Sequence, residues 1–564
     1  MPANASARDG APGNLGPAAE TEIQEMSDKP QTGLLLRRIT AADQVPLAAA
    51  VVGAALAALT WASGWKGGDF PAALHRIDLF RLAGFTPWDS QWFGGHYTLG
   101  YSVLMAPLAV LLGIGGLMAL CAAVSAWSFA RLLRAHFGRQ SWVGAVWFAV
   151  GLAAPVAIGQ LAFLLGATVA LLALLAFAAG RRITGAVLGA LCPLASPVAA
   201  ALLLLALAAW ALTVAGPSRR ALIGFGVVIA TPIAVLELLF PQGGRMPFAA
   251  STLFGVLVVS ALGLLLLPPR ERTLRIGAAL YGLAGVVLFL IPQPMGANVG
   301  RLGTAVGGPL AATVLWPRRR LLLAAVAIPL LLWQWIPAIG SVIKDHPDPS
   351  KDAVFFSPLV SYLHSQDAQL TRVEIPPTAD HWESLWAAAD LQLARGWERQ
   401  VDIQANGIFY DPAQLTGDSY GAWLVKNGVS WVALPNLRLD YSGQLEADLL
   451  KADHPYLVPA WHDAHWQVWR VVGSPGLVDG PAQLTAIGPN SFDLQVAHPG
   501  TVLVRVRYTR FWTPTVGRAC VTPTPDGWTS LVVSRPGRVK VKSRLIGGGN
   551  GCASAQTAGR VETS

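Results

Sequence analysis

Residues 65–98, WKGGDFPAALHRIDLFRLAGFTPWDSQWFGGHYT, interrupt a strongly apolar half of the chain with a dense group of polar side chains. From residue 45 to residue 343 the sequence has five acidic residues, and three of them, Asp69, Asp78 and Asp89, lie in this loop. A chain that avoids carboxylates over such a length and then groups them in one loop is more consistent with a site than with surface decoration. The loop therefore predicts a polar site between two apolar segments.

The composition is that of a membrane protein. Hydrophobic side chains make up 53% of the 564 residues and charged ones 13%, with a mean hydropathy of +0.47, whereas soluble proteins contain about 25% charged residues. Apolar residues dominate as far as about residue 342, after which acidic and aromatic residues return to ordinary frequencies. We expect a disordered cytoplasmic tail at 1–44, a membrane region at 45–343 and a water-soluble region beyond it.

Basic residues form short clusters between apolar segments. This arrangement indicates membrane topology and argues against a nucleic-acid partner, despite the net charge of +9. Arg37 and Arg38 precede the first span, so the positive-inside rule places the N-terminus in the cytoplasm and the 65–98 loop outside. About eleven crossings then place every basic cluster on one side. The predicted spans are 45–64, 114–133, 141–158, 161–180, 183–197, 198–214, 221–240, 248–267, 276–291, 304–316 and 321–342.

The apolar stretch 99–130 is longer than one crossing needs and allows two interpretations. If residues 99–112 cross alone, Arg131 and Arg134 fall outside, against the charge rule. If residues 99–112 instead lie in the outer interface and residues 114–133 cross, those cations fall inside. We favour the second interpretation, because about 14 residues are short for a crossing. The expected fold is a polytopic α-helical protein of the cell membrane, with an extracytoplasmic C-terminal region.

The water-soluble region has an α+β pattern at first. Residues 381–402 predict a helix, and residues 419–435 predict a helix, a stop at Gly428 and an apolar strand. We therefore expect an α/β domain at 344–475.

After Pro475 the pattern changes to short segments in which apolar and polar side chains alternate. Such segments, separated by Pro and Gly turns, are typical of a small β-sandwich, so we expect one at 476–564. Cys520 and Cys552 lie in it and are expected to form a disulfide in an oxidising compartment, with two free thiols as the alternative.

The polar side chains at the outer ends of the predicted spans are few, and all of them can converge on one external cavity. A carboxylate beside the apolar slab has a pKa raised by desolvation and can act as a general base for a hydroxyl group. Asp69 and Glu237 are therefore the catalytic candidates. Arginine can hold a phosphate through two donors. The expected substrate-binding residues are Arg76, Asp78, Asp89, His96, Arg245, Asn298 and Arg301.

Three motifs carry a family resemblance. GGDFPAALHR at 67–76, PWDSQWFGGHYTLGYSVLMAPLAVLLG at 87–113 and ANVGRL at 297–302 resemble the pattern of the GT-C superfamily of membrane glycosyltransferases. They are also similar to the related bacterial 6-pyruvoyl-tetrahydropterin synthase-related membrane proteins. In the water-soluble region, RGWERQVD at 395–402, FYDP at 409–412 and YGAWLVKNGVSWVALP at 420–435 resemble extracytoplasmic domains fused to such proteins in high-GC bacteria.

The resemblance implies a GT-C-like fold and a transferase that takes a sugar from a polyprenyl-phosphate carrier at the outer face, usually with inversion. The implied acceptor is a cell-envelope glycan or lipid. By position, Asp69 would be the base that activates the acceptor, and Arg301 would contact the phosphate. Many members have two acids that are adjacent or one residue apart, whereas the nearest acid to Asp69 in this chain is Asp78. No cofactor is assigned, because no His, Cys or Asp cluster has metal spacing, and a divalent metal stays an alternative.

Structural interpretations stand beside these functional ones. Asp69 could cap the helix that begins at Phe70, and Asp78 could pair with Arg81 or His75 on that helix. Asp89 could be a turn residue. Glu237 could form an ion pair with Arg245, and Arg301 could anchor its helix at the lipid headgroups. For the whole chain, the alternatives are a transporter or flippase of envelope precursors and a non-catalytic scaffold for envelope assembly.

Overall fold

The computed structural model describes residues 44–342, 348–546 and 548–552. The tail expected at 1–44 lies outside the described residues, apart from Gln44. Below, the membrane region is residues 44–342, the polar loop is residues 65–98 within it, and the C-terminal region is residues 348–552.

The membrane region is helical, because in lipid a helix satisfies every backbone polar group within its own segment. Six helical segments are long and apolar enough to cross a membrane: Gln44–Ala62, Ile114–Ile158, Leu161–Ala178, Gly216–Leu239, Arg272–Leu290 and Arg320–Val342. Three shorter apolar helices accompany them. The helices of this region are α1 (Gln44–Ala62), α2 (Phe70–Ala83), α3 (Met105–Leu112), α4 (Ile114–Phe137), α5 (Trp142–Gly151), α6 (Ala153–Ile158), α7 (Leu161–Ala178), α8 (Arg182–Ala195), α9 (Pro197–Ala211), α10 (Gly216–Leu239), α11 (Ala250–Leu266), α12 (Arg272–Leu290), α13 (Gly300–Leu315) and α14 (Arg320–Val342).

Every predicted span coincides with a helix, and the span 141–158 coincides with two, α5 and α6. Helices α8 and α9 are separated at Ser196, whose Oγ accepts a hydrogen bond from Ala199 N at 3.3 Å and caps α9. Helix α3 has eight residues, too few to cross a membrane, which agrees with the interfacial interpretation of 99–112. The number of crossings stays a prediction.

A large apolar core joins the membrane region to the C-terminal region. It contains Ala122 and Ala126 of α4, Trp92 of the polar loop, and Trp382 and Trp466 of the C-terminal region. Small side chains let the membrane helices approach closely, as TM helices commonly require. The two regions are therefore packed together and share buried apolar surface.

The first part of the C-terminal region is an α/β unit built on one mixed sheet. The strand order is β4-β3-β5-β7-β6, with β3 parallel to β4 and β5, and β7 antiparallel to β5 and β6. Its elements are α15 (Ala353–Ser365), β3 (Arg372–Glu374), α16 (Glu383–Trp386), β4 (Gln392–Leu393), α17 (Arg399–Ala405), α18 (Gly417–Asn427), β5 (Val429–Pro435), α19 (Tyr441–Leu449), β6 (Leu457–His462) and β7 (Trp466–Val471).

The single helix predicted at 381–402 is wrong. The segment forms the one-turn helix α16, the edge strand β4 and the start of α17. The chain leaves the helical path because Gln392 and Leu393 pair with β3 and because Arg395 turns inward to Asp402 and Glu446. Tertiary pairing thus outweighs local helix propensity. The helix, stop and strand predicted at 419–435 are confirmed, with Gly428 in the left-handed region at φ +64°.

The rest of the C-terminal region is the expected β-sandwich. One sheet has the order β12-β15-β10-β9 and the other β13-β14-β11-β8. Alternating inward side chains such as Val502, Val504 and Val539 form its core. Cys520 and Cys552 are joined by a disulfide. The strands are β8 (Val478–Asp479), β9 (Ala482–Gly488), β10 (Ser491–Val496), β11 (Gly500–Arg507), β12 (Trp512–Val516), β13 (Ala519–Pro523), β14 (Trp528–Val533) and β15 (Gly537–Ser543).

The second half of the polar loop is inserted between the α/β unit and the β-sandwich. It forms a hairpin of β1 (Trp88–Asp89) and β2 (His96–Tyr97). Trp88 lies in the core of the sandwich, whereas Trp92 lies in the shared core and donates through Nε1 to the carbonyl of Ser384 at 3.0 Å. The polar loop is thus a structural joint between the regions as well as the place where the carboxylates lie.

Candidate functional site

The backbone that carries Asp69 is held by three different parts of the chain. Asp69 N donates to the carbonyl of Ile158 at the end of α6, at 3.0 Å. Gly68 N donates to Ser341 Oγ of α14 at 2.9 Å, and the carbonyl of Gly68 accepts from Trp397 Nε1 of the C-terminal region at 2.7 Å. The position of Asp69 is therefore fixed by the membrane helices and the C-terminal region together.

The side chain of Asp69 is left free for other partners. Asp69 occupies the N-cap position of α2, yet its carboxylate makes no capping hydrogen bond. The sequence alternative, in which this carboxylate caps the helix, is therefore wrong. A short polar side chain at this position normally accepts a hydrogen bond from a backbone N–H of the first turn. The Asp69 carboxylate makes no such bond, so its oxygens can interact with other groups.

Asp69 instead faces Arg301, the second residue of α13. Asp69 Oδ2 lies 3.6 Å from Arg301 Nη2, and about a fifth to a quarter of each side chain is exposed, 20% and 24%. At this distance the two groups form an ion pair, but they are too far apart for a hydrogen bond. The guanidinium also lies 4.9 Å from the ring centroid of Phe163 on α7. Both charged groups can therefore be reached from solvent while they attract each other.

The electrostatics of Asp69 combine two opposing effects. Burial against the apolar helices raises the pKa of Asp69 above its ordinary value, and the charges of Arg301 and Arg76 reduce this rise without cancelling it. A carboxylate with a raised pKa is a stronger base when it is ionised. Loss of Arg301 as its partner would raise that pKa further.

Arg76, whose charge also acts on Asp69, joins the two regions. It is buried, donates through Nη2 to Glu398 Oε1, and its guanidinium lies 3.8 Å from the ring centroid of Tyr101. Glu398 also accepts from Gln242 of the loop after α10. These contacts of its Nη2 and ring face give Arg76 a structural role, and its charge acts on Asp69, whereas the substrate contact expected from the sequence stays a prediction.

Asp89 and His96 are not available to a substrate in this structure. Asp89 is fully buried, accepts from Gln91 N at 2.9 Å and lies 2.7 Å from His75 Nε2. Burial alone would raise the pKa of Asp89, but the contact with His75 holds this pKa below its ordinary value. Burial lowers the pKa of His96, so its ring is neutral at pH 7. These side chains stabilise the hairpin beneath the C-terminal region.

The other sequence candidates contact different parts of the chain or are exposed, so their convergence with Asp69 and Arg301 stays a prediction. Asp78 forms an exposed ion pair with Arg81 at 2.8 Å, as the structural alternative proposed. Asn298 donates through Nδ2 to the carbonyl of Met295 at 2.9 Å and so closes a turn. Glu237 and Arg245 are exposed, and within the described ranges neither forms a salt bridge with the other or with a third residue.

The structure adds Lys351 and Asp380, which the sequence did not single out. A Cβ placed on Gly68 would lie 3.1 Å from Asp380 Oδ1, and Lys351 Nζ lies 3.8 Å from Asp380 Oδ2. Both residues come from the C-terminal region, where charged residues are common. No local pattern in the sequence links them to residue 69.

The site does not fit a divalent metal. Across residues 44–342, 348–546 and 548–552, no group of three or more His, Cys, Asp or Glu side chains could hold a metal ion. Asp69 is paired with a guanidinium, which repels a cation. The chemistry open to the site is therefore that of one carboxylate base and one arginine that can bind an anion.

These observations define the class of protein: a helical membrane protein with an α/β and β-sandwich C-terminal region and a carboxylate–arginine site at the junction. No protein-family model and no curated protein matches the chain. The arabinofuranosyltransferase AftD from Mycobacteria, solved by cryo-electron microscopy, is 13% identical and gives a TM-score of 0.43 over 89% of this chain and 57% of that chain.

A structure of a mutant AftD gives the same TM-score, 0.43, at 14% identity, over 90% of this chain and 60% of that chain. The chain thus spans less than two thirds of the proteins that it matches. A likeness at this TM-score and identity carries no inference about fold or activity. Nothing in these comparisons supports the resemblance to 6-pyruvoyl-tetrahydropterin synthase-related proteins.

Proposed function

We propose that the chain is an integral membrane glycosyltransferase of the GT-C type, which transfers a sugar from a polyprenyl-phosphate carrier to an acceptor of the cell envelope at the outer face. The observation that carries the proposal is the Asp69–Arg301 pair, 3.6 Å apart and partly exposed. It combines a base and an anion-binding group at the end of a membrane helix, where a lipid-linked phosphate would lie. The sequence motifs that resemble GT-C enzymes include both residues.

In the proposed reaction the acceptor hydroxyl gives its proton to Asp69 and its oxygen attacks the anomeric carbon of the sugar. A new C–O bond forms there, and the bond between that carbon and the phosphate oxygen breaks. The leaving group is the polyprenyl phosphate, and Arg301 stabilises the charge that develops on it. Attack from the side opposite the leaving group inverts the anomeric centre.

Arg301 would link donor binding to base strength. In the structure its guanidinium lowers the pKa of Asp69. A phosphate that engages Arg301 competes for its donors and supplies negative charge nearby, so the carboxylate becomes more basic when the donor is bound. The base would then be strongest in the complex that reacts.

The test uses the full-length protein in proteoliposomes. Donors are farnesyl phosphate esters of radiolabelled pentoses and hexoses, and acceptors are oligosaccharides released from the envelope of the organism that encodes the chain. The proposal expects labelled oligosaccharide and free farnesyl phosphate in equal amounts with at least one donor. If no donor gives a new glycosidic bond, but a donor exchanges between the leaflets faster than in protein-free vesicles, the protein is a transporter and the proposal fails.

A further inference from the structure

An apolar cavity of about 220 Å³ lies among five helices of the membrane region, α9 and α11–α14. In the part of the chain that the structure describes, its lining side chains are apolar apart from Thr273 and Tyr281. Both hydroxyl groups have protein partners, because Thr273 Oγ1 lies 2.8 Å from Thr213 Oγ1 and Tyr281 Oη accepts from Gly303 N at 3.2 Å. An engineered apolar cavity of about 150 Å³ binds benzene. The cavity therefore has room for a length of hydrocarbon chain.

The cavity is separate from the Asp69–Arg301 pair, although α13 contributes to both. On a helix with about 3.6 residues per turn, the lining residues Val306 and Leu310 lie about 140° and 180° around α13 from Arg301. Arg301 instead faces Phe163 of α7. A lipid chain attached to a phosphate at Arg301 would have to pass around the helix to reach the cavity. The position of the cavity therefore favours a lipid other than the carrier.

The cavity is open at the surface of the helices. The lining residues Leu262, Leu274 and Leu310 are half-buried, and the neighbouring Leu265 is 78% exposed. In a bilayer this surface meets lipid chains, and a chain that enters the cavity gains packing contacts with its walls. The lining extends over about 12 Å of α12 and about 18 Å of α13. These lengths lie on either side of the ~15 Å of hydrocarbon in one leaflet, so the cavity fits an acyl chain of one leaflet.

Arginine side chains lie at one end of the cavity, in and beside the turn between α11 and α12. Arg275 donates through Nη1 to the carbonyl of Leu267, a lining residue, at 3.3 Å. Arg270 and Arg272 are exposed. Glu271 is the acid of this turn, and it lies 3.4 Å from Arg270 and 2.6 Å from a histidine at the end of α4. The turn therefore keeps an excess of positive charge.

A second basic group, residues 318–320, adjoins the same end of the cavity. Leu266, a lining residue, belongs to the apolar cluster that includes Trp316. The Arg320 guanidinium lies 4.7 Å from the ring centroid of Trp316, and the other two arginines of this group are exposed. Basic pockets between membrane helices bind the headgroups of anionic lipids. The charges at this end of the cavity therefore complement an anionic headgroup.

We propose that the cavity binds an anionic phospholipid, with the phosphate among the arginines of residues 270–275 and 318–320 and an acyl chain between α9, α11, α12 and α13. The positive-inside rule assigns these arginines to the cytoplasmic face, so the lipid comes from the cytoplasmic leaflet. The site is independent of the proposed sugar transfer. The lipid fills the space between α12 and α13 and stabilises their packing.

The test is native mass spectrometry of the full-length protein, delipidated in detergent and titrated with one of two phospholipids. Dioleoyl phosphatidylglycerol is anionic and dioleoyl phosphatidylcholine is zwitterionic. Wild type should bind one phosphatidylglycerol about tenfold more tightly than phosphatidylcholine. Ala206→Leu places a larger side chain in the cavity and should weaken the binding of phosphatidylglycerol about tenfold. Ala208→Leu, at an exposed position of the same helix, is the matched control and should bind like wild type.

The headgroup contacts are tested by Arg272→Gln. This variant removes one charge and should weaken the binding of phosphatidylglycerol about fivefold, while the binding of phosphatidylcholine stays unchanged. Arg182→Gln removes an exposed arginine that begins α8, as Arg272 begins α12, and should have no effect. If Ala206→Leu fails to fold, the two arginine variants decide. Equal binding of the two phospholipids by wild type, or equal binding of phosphatidylglycerol by Arg272→Gln and wild type, overturns the proposal.

Farnesyl phosphate distinguishes the proposed lipid from the carrier, because it has the phosphate and the prenyl chain of the proposed donor. It should bind to Ala206→Leu as tightly as to wild type. If Ala206→Leu weakens the binding of farnesyl phosphate and leaves that of phosphatidylglycerol unchanged, the cavity holds the carrier chain and the proposal fails. If phosphatidylglycerol binds as expected but no sugar is transferred, the proposed function fails and the lipid site stands.

Discussion

Asp69 Oδ2 and Arg301 Nη2 lie 3.6 Å apart, although in the sequence the two residues lie near opposite ends of the membrane region. The pair joins the N-terminus of α2 to the N-terminus of α13, and both side chains stay partly exposed. Most other charged pairs around the polar loop are buried and connect one part of the chain to another. Arg76–Glu398 and His75–Asp89 are examples, with each side chain at most 6% exposed.

The first prediction concerns Arg301 and the carrier phosphate. Arg301→Gln should weaken the binding of farnesyl phosphate by about tenfold to a hundredfold, because a charge-assisted hydrogen bond is lost. Microscale thermophoresis on the detergent-solubilised protein measures the change. Arg245→Gln, which removes an exposed arginine of the neighbouring loop, should bind like wild type. Equal binding by Arg301→Gln and wild type would exclude Arg301 as the phosphate contact.

A second prediction is the pH dependence of turnover. The base works only when Asp69 is ionised, so kcat/KM should fall as the pH drops through its pKa, which burial raises above the ordinary 3.8. Arg301→Gln removes a charge that lowers this pKa and should move the acid limb to higher pH. Arg301→Lys keeps the charge and should move it less. An acid limb at the same pH in all three proteins would contradict the electrostatic coupling.

The buried pair Arg76–Glu398 gives a prediction about stability. Glu398→Gln leaves a buried guanidinium without its counter-charge and should destabilise the junction by about 3–5 kcal/mol. Thermal unfolding in detergent, followed by intrinsic tryptophan fluorescence, measures the loss. Arg81→Gln breaks the exposed pair with Asp78 and should cost at most about 1 kcal/mol. Similar melting temperatures for the two variants would show that the buried pair does not hold the regions together.

A fourth prediction concerns His381 and alkaline pH. Burial opposes its charge, but the carboxylates of Asp440 at 3.8 Å and Glu383 at 3.4 Å raise the pKa of His381 to about 9. A group whose pKa is higher in the folded protein stabilises fully below its unfolded pKa, here about 6.5, and this stabilisation is lost as the pH rises through about 9. The melting temperature of wild type should therefore fall between these values.

His381→Asn should reduce that fall, and asparagine tolerates the left-handed backbone at this position. His498→Asn, at an exposed histidine of the β-sandwich, should melt with the pH dependence of wild type. If His381→Asn keeps the full alkaline loss of stability, the ionised His381 is not its source.

The sequence predicts the helices well, because spans in lipid must be long and apolar. It selects Asp69 because carboxylates are scarce among the spans, and Arg301 because it lies in a motif that resembles the GT-C pattern. The prediction fails where contacts between residues that are far apart in the sequence determine the local structure. The pattern around His381 favours a helix, but pairing of Gln392 with β3 converts part of it to a strand. Asp89 looks exposed in a polar loop, yet the C-terminal region buries it completely.

Asp380 is a residue near Asp69 that the sequence did not single out. Its neighbours in the sequence are those of an ordinary soluble domain, and only the fold brings it to Gly68. Asp69 and Asp380 are separated by most of the chain, so a motif search within one loop does not link them.

The most direct measurement of the central claim is the turnover of Asp69→Asn in the proteoliposome assay. The variant keeps the shape of the side chain and should melt like wild type, whereas sugar transfer should fall by about 10²- to 10⁴-fold, since a general base is lost. Asp78→Asn changes an exposed aspartate of the same loop and should transfer sugar at the wild-type rate. Transfer by Asp69→Asn within about twofold of wild type would contradict the assignment of Asp69 as the base.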